Sequence, residues 1–176
     1  MPHPKPTLPD YDFSEALALP VPDRLAVCLK TLLSRGAEEV AWGVAPIPLE
    51  GATEAELCEV ERGNSEALPP EYRAFLSLCR YLDYGGGWTI WGVTHTDPDG
   101  LSDTFAPWIS EDHGTDAPCW VIGDYWRYAD GDQLLLLPEE PGQPVVLYLH
   151  EDGPALEIFA PSFSLALWRW VHEKWV

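Results

Sequence analysis

Cations are scarce in this 176-residue chain: ten Lys and Arg stand against 29 Asp and Glu, a formal net charge of -19. No basic stripe occurs, and nucleic-acid affinity depends on neutralising phosphates, so nucleic acid is not an expected partner. Long apolar runs are missing as well. No segment approaches the roughly 18 residues that a membrane helix needs, so no membrane association is expected. The opening residues, Met1-Pro2-His3-Pro4-Lys5-Pro6, hold neither an apolar core nor a small-residue cleavage site, which argues against a secretory leader and for the cytoplasm. Cysteines number four, and Cys28, Cys58, Cys79 and Cys119 form no C-x-x-C pair and lie near no histidine ligand pattern. A zinc site is therefore disfavoured, and reduced thiols serving as small core hydrophobes are expected.

What charge there is lies unevenly. From Tyr81 to Trp168 the chain carries fifteen carboxylates and one cation, Arg127, a net of -14. Residues 1–80 contribute -6 and the last eight +1. A block this acidic repels phosphate and steers a cationic partner towards itself. It is also rich in Trp, Tyr, Ile, Leu and Val, within a chain that is 46% hydrophobic and has nine Trp. That composition belongs to a folded segment rather than to an acidic disordered tail.

The length suits one domain with a substantial core. Residues 1–10, with four prolines, predict a flexible lead-in, and residues 11–176 the single domain. Leu25, Cys28, Leu29, Leu32 and Leu33 form one stripe, which predicts a helix over 23–35 with Asp23 as its cap and Gly36 as its stop. Val40, Trp42 and Val44 alternate as in a short strand. Thr53-Glu54-Ala55-Glu56 is a capping box opening a helix that ends near Gly63. Leu68-Pro69-Pro70 leads into another, with Tyr72, Phe75, Leu76 and Cys79 at helical spacing, broken by Asp83 and Gly85-Gly86-Gly87.

Beyond the glycines the period becomes that of strands: 88–93, 119–122, 133–137, 145–150 and 156–159. Asp130-Gly131-Asp132, Glu140-Pro141-Gly142 and Glu151-Asp152-Gly153 mark turns between the later ones. A closing helix starts near Pro161-Ser162, with Phe163, Leu167, Trp170 and Val171 as its stripe. The expected fold is α+β: an antiparallel meander of five to six strands with helices packed on one face, N-terminal helices and a C-terminal helix. Residues 94–118 form a long acidic connection, and loops of this length usually carry function.

No catalytic constellation emerges. Asp97-Pro98-Asp99-Gly100-Leu101-Ser102-Asp103 has the alternating carboxylates of a calcium loop, but the twelfth position from Asp97 is Trp108 instead of a bidentate Glu, so an Asp-rich turn is the better reading. His95 and His113, with Asp112 and Asp116 nearby, lack the spacing of a zinc hydrolase. Ser162 sits where a helix cap is wanted, and no G-x-S-x-G elbow occurs. Gly85-Gly86-Gly87 lacks the Lys-Ser/Thr ending of a phosphate loop and precedes a strand. Glu139-Glu140 and Glu151-Asp152 are adjacent pairs in polar turns, not carboxylates facing each other across a cleft. Neither a cofactor nor a metal is expected.

Several of these pieces, in this order, resemble the SUKH superfamily, known from fungal cell-wall assembly regulators and bacterial toxin-immunity proteins. Leu68-Pro69-Pro70-Glu71-Tyr72-Arg73-Ala74-Phe75-Leu76 is similar to the family's L-P-x-x-[YF]-x-x-F-L helix, and Gly85-Gly86 stand at the place of its glycine pair. Val121-Ile122-Gly123-Asp124 with Asp130-Gly131-Asp132-Gln133 resembles its middle strands, and Ala160-Pro161-Ser162-Phe163-Ser164 its closing helix start. The resemblance covers about residues 54–170. Tyr84 replaces the Asn often found before the glycine pair, and the 94–118 segment is longer than in the family pattern.

The resemblance implies a non-enzymatic binding protein, and for bacterial members one that neutralises toxins, often nucleases. The charge pattern agrees with a cationic protein partner, a cognate toxin in the leading case. The expected partner-binding residues are Asp97, Asp99, Asp103, Trp108, Glu111, Asp112, Asp116, Asp124, Trp126, Asp130 and Asp132, with the Trp side chains, and Tyr128 beside them, as anchors. A scaffold or regulatory module with an endogenous partner is the alternative, and a metal-dependent hydrolase a distant third. The oligomeric state is left open by the sequence.

Overall fold

A computed structural model describes residues 8, 10–39, 50–83, 88–90, 92–93, 107–109, 118–125, 131–149 and 155–173. The chain opens with a one-turn helix, α1 (Ser14–Leu17), and a long one, α2 (Val21–Glu39). α2 starts two residues before the expected cap, because Pro22 is tolerated in a first turn, and Asp23 lies inside that turn. It also continues through Gly36 rather than stopping there. A helical glycine costs only about 1 kcal/mol relative to alanine, which packing against a neighbouring helix can offset. The strand expected at 40–44 lies outside the described residues.

α3 (Glu54–Asn64) has the predicted capping box: the Glu56 amide donates to Thr53 Oγ1 (3.3 Å), and Glu56 accepts from the Thr53 amide (2.7 Å). Its left-handed terminator is Ser65 (φ 56°), so Gly63 falls within the last turn. α4 (Pro70–Leu76) ends three residues before Cys79, which is buried beyond the helix. Tyr72 and Phe75 stay on its buried face. Their rings lie 4.9 and 5.3 Å from Phe163, joining α4 to the closing helix α5 (Phe163–His172).

Among the described residues, seven antiparallel strands follow α4: β1 (Leu82–Asp83), β2 (Trp88–Ile90), β3 (Pro107–Ile109), β4 (Pro118–Tyr125), β5 (Gln133–Leu136), β6 (Val145–Leu149) and β7 (Ala155–Ala160). They form one sheet in the order β1-β2-β4-β5-β6-β7, with β3 also paired to β4. The α+β meander read from the sequence is therefore present, with two very short strands added. β4 can be eight residues long because β2 pairs with its second half and β3 with its first. Gly123 permits the β2–β4 approach: a Cβ there would stand 2.0 Å from the Thr89 carbonyl oxygen. At the β5–β6 turn, Gly142 (φ 82°) and Gln143 (φ 53°) supply the left-handed backbone.

The core lies between the helices and one face of the sheet. Trp120, Ile122, Leu134, Leu136, Val145, Leu147 and Phe159 point into it, meeting Leu25, Cys28 and Leu32 of α2 and most of α5. Burial at this level contributes about 1.5–3 kcal/mol for each large apolar side chain. It also pushes the Cys28 and Cys79 thiols up to about 12 and that of Cys119 to about 11, which leaves them inert. Cys58 departs from the expectation of core thiols: it is exposed, one turn after Glu54 and off the face that buries Leu57 and Val60.

Among the described residues, three arginines are buried within this framework. Arg24 donates to the Ala16 and Leu19 carbonyls (both 3.0 Å) and to Ser164 Oγ (2.6 Å), so it ties the end of α1 to α5. Arg80 donates to Gly51 O (3.2 Å) and pairs with Glu56. Arg169 donates to Phe159 O (3.0 Å) and lies 3.4 Å from Glu173. Ser162 occupies the N-cap position of α5 without a side-chain capping bond. The carboxylate of Glu71 accepts from the Ser164 amide instead (2.7 Å), placing negative charge at a helix N-terminus where the dipole favours it.

Candidate protein-interaction face

The face of the sheet turned away from the helices is organised in rows by the strand register. One row reads Thr89, Asp124, Gln133, Tyr148 and Leu156 across β2, β4, β5, β6 and β7. All five are half-buried, so they present a polar and aromatic band. The next row reads Val121, Leu135, Val146 and Ile158. The first three are buried, at 0%, 0% and 4%, whereas Ile158 is 70% exposed, the most exposed large hydrophobic residue among those described. Cys119, Val121, Leu135 and Val146 form a second small apolar cluster on this face, with Leu137, Tyr148 and Leu156 packed against it.

The register depends on a bulge between Val121 and Gly123 in β4, which adds a residue to that strand and brings Asp124 opposite Gln133. Asp124 is held in place: its Oδ2 accepts from Thr89 Oγ1 (3.0 Å), and its own amide donates to that hydroxyl (3.3 Å). A carboxylate fixed by a neighbouring hydroxyl loses little rotamer freedom on meeting a cation, which is what an interface charge requires. Asp132 is placed differently. It is 1% exposed, and its carbonyl accepts from the Tyr125 amide (3.1 Å), so it lies under the surface at the entry to β5.

Of the other expected partner-binding residues, Asp97, Asp99, Asp103, Glu111, Asp112, Asp116, Trp126 and Asp130 lie outside the described residues. Trp108, in β3, is described through its backbone alone, which pairs with Cys119 of β4. The structure thus brings Asp124 and Asp132 to neighbouring strands, near the end of β4 that β2 flanks. Gln133 and Tyr148 were not anticipated as members of the face. The alternation of Gln133 with Leu134, and of Tyr148 with Leu147, was the available signal, but only the register lines them up with Asp124. Among the described residues, no group of three or more His, Cys, Asp and Glu could hold a metal ion, and no helix is long and apolar enough to cross a membrane.

The region that carries this geometry also carries a family match. The model of the SMI1/KNR4 family (SUKH-1) matches residues 51–167, from the residues just before α3 into α5. The chain belongs to the SMI1/KNR4 (SUKH-1) family. Domains of this family interact with proteins and generally serve as non-catalytic immunity or regulatory domains. The matched span includes the whole sheet and leaves α1 and α2, the latter packed on α5, outside it. No curated protein and no solved structure matches the chain.

Proposed function

We propose that this SUKH-1 chain is a non-enzymatic immunity or inhibitor protein that neutralises a cationic bacterial toxin, with a nuclease as the leading class. One observation carries the reading: fifteen carboxylates against a single arginine between Tyr81 and Trp168, in the part of the chain that builds the sheet. A nuclease presents a basic surface to its phosphate substrate, and an acidic face complements it and accelerates capture. Asp124 would contribute orientation on the sheet, Asp97, Asp99, Asp103, Glu111, Asp112, Asp116 and Asp130 further negative charge, and Trp108 and Trp126 apolar anchors. Asp132 would act from beneath by holding the strand entry. Residues 11–176 would form the one folded domain, with a lead-in before it, working in the cytoplasm without metal or cofactor.

Co-expression with a toxin encoded beside this gene tests the proposal. Growth should be restored, and the two proteins should copurify. Continued toxicity with no complex, together with a stable complex formed in cells lacking any such toxin, would instead favour an endogenous regulatory partner.

A further inference from the structure

We propose that the outer edge of β7 accepts an extended, cationic segment of a protein partner as an added strand, seated in the groove between β7 and the N-terminal segment. This rests on the reading of the chain as a binder of a cationic protein and gives that binding a place. β7 is the last strand of the sheet, and among the described residues no backbone hydrogen bond joins it to any strand but β6. Such an edge offers a row of backbone donors and acceptors to an incoming strand.

The groove beside it has a volume of about 420 Å³. Leu8, Tyr11 and Phe13 line it on the N-terminal side, and Ile158 on the strand side. Its N-terminal wall is held in position. The Leu8 amide donates to Glu157 Oε2 (2.7 Å), and the Tyr11 and Phe13 rings lie 4.8 Å apart. The Arg169 guanidinium lies 5.5 Å from the centre of the Tyr11 ring and 4.8 Å from that of Phe159. A wall anchored this way need not be ordered when a ligand arrives, which lowers the cost of binding.

Charge selects the occupant. Arg169 lines the groove, but it is 3% exposed and bonded to Glu173, so its charge is largely compensated. The carboxylate that lines the groove from an exposed residue is Asp10, and exposed Asp12 and Glu15 follow it. An incoming strand alternating apolar residues and Lys or Arg would set its apolar side chains on one face against Ile158 and its cations on the other towards Asp10. A second copy of this chain would bring another net charge of -19, which opposes pairing through the same edge.

The test is an NMR titration of the isotope-labelled full chain with a peptide of about ten residues alternating Lys and Val, against one alternating Glu and Val. The Lys peptide should shift the amides of residues 155–160 and 8–13 in a saturable way, and the Glu peptide should bind at least about tenfold more weakly. Ile158→Lys, at a position too exposed to matter for folding, should weaken the Lys peptide by about tenfold, and Asp10→Asn by a smaller factor. Equal binding of both peptides, or indifference to Ile158→Lys, would overturn the proposal. Shifts confined to Thr89, Asp124, Gln133 and Tyr148 would also overturn it, while leaving the cationic-binder reading intact. A dimer of the chain that Ile158→Lys dissolves in sedimentation would assign the edge to a second copy, against the proposal.

Discussion

In the helical half, three of the five arginines make internal ties: Arg24 holds the Ala16 and Leu19 carbonyls, Arg80 the Gly51 carbonyl, and Arg35 reaches Val171 O on α5, while Arg62 is exposed and Arg73 pairs with Glu54 and Glu61. In the strand half, from Tyr81 to Trp168, the one arginine is outnumbered by fifteen carboxylates. Both halves are acidic, yet they use charge differently. The helices take up scarce cations as internal ties, since a guanidinium fork can satisfy several carbonyls at helix ends at once. Arg24 and Arg80 are buried in this way, which withdraws two of the scarce cations from the surface. The single arginine of the strand half cannot neutralise its fifteen carboxylates, and the cationic partner proposed above would.

Breaking an internal tie should have the largest effect on stability. Arg24→Met removes three hydrogen bonds, to the Ala16 and Leu19 carbonyls and to Ser164 Oγ, at a buried site, so urea denaturation should show a loss of about 3 kcal/mol. Arg24→Lys should recover little of it, because an ammonium cannot span the same acceptors. Glu71→Gln, which weakens the charge at the start of α5, should cost about 1 kcal/mol by the same measurement.

A subtler contrast lies in pH. The Arg80 guanidinium, helped by the Thr53 amide and hydroxyl, holds the Glu56 carboxyl down at about 2, against an ordinary value of 4.5. A depressed carboxyl contributes stability that is present above pH 4.5 and is lost as the pH falls towards 2. Thermal melts across that window should therefore decline less steeply for Glu56→Gln than for the parent. Asp124→Asn should change stability least, within about 0.5 kcal/mol, while slowing association with a cationic partner at low salt. A large stability loss there would mean that the sheet face, like the helices, uses its charges internally.

The division between halves also marks what was legible in the sequence. Local patterns sufficed for the capping box at Thr53, the Tyr72–Phe75 face of α4, the apolar runs of β5 and β6 between turn signals, and the closing helix. β1 and β3 escaped because two or three residues cannot display a period. The arginine ties escaped for another reason: Arg24 and Ser164 are 140 residues apart, and no local pattern announces such a pair. The cap of α5 was read as Ser162, whereas the donor it was expected to satisfy is met by Glu71, 93 residues earlier. On the sheet, Asp124 was recognised as a surface candidate. Its alignment with Gln133 and Tyr148 depends on the β4 bulge, which the sequence marks only by Gly123.

The most direct test compares two variants of equal charge change. In one, the strand-half carboxylates Asp97, Asp99, Asp103, Glu111 and Asp112 are made neutral; in the other, the exposed helical-half carboxylates Glu15, Asp23, Glu50, Glu59 and Glu66. Stopped-flow association with a cationic toxin of the kind proposed as its partner, at low and high salt, should slow by about tenfold or more for the first and by no more than about twofold for the second. Equal slowing in both would mean that net charge, rather than its concentration in the strand half, governs capture.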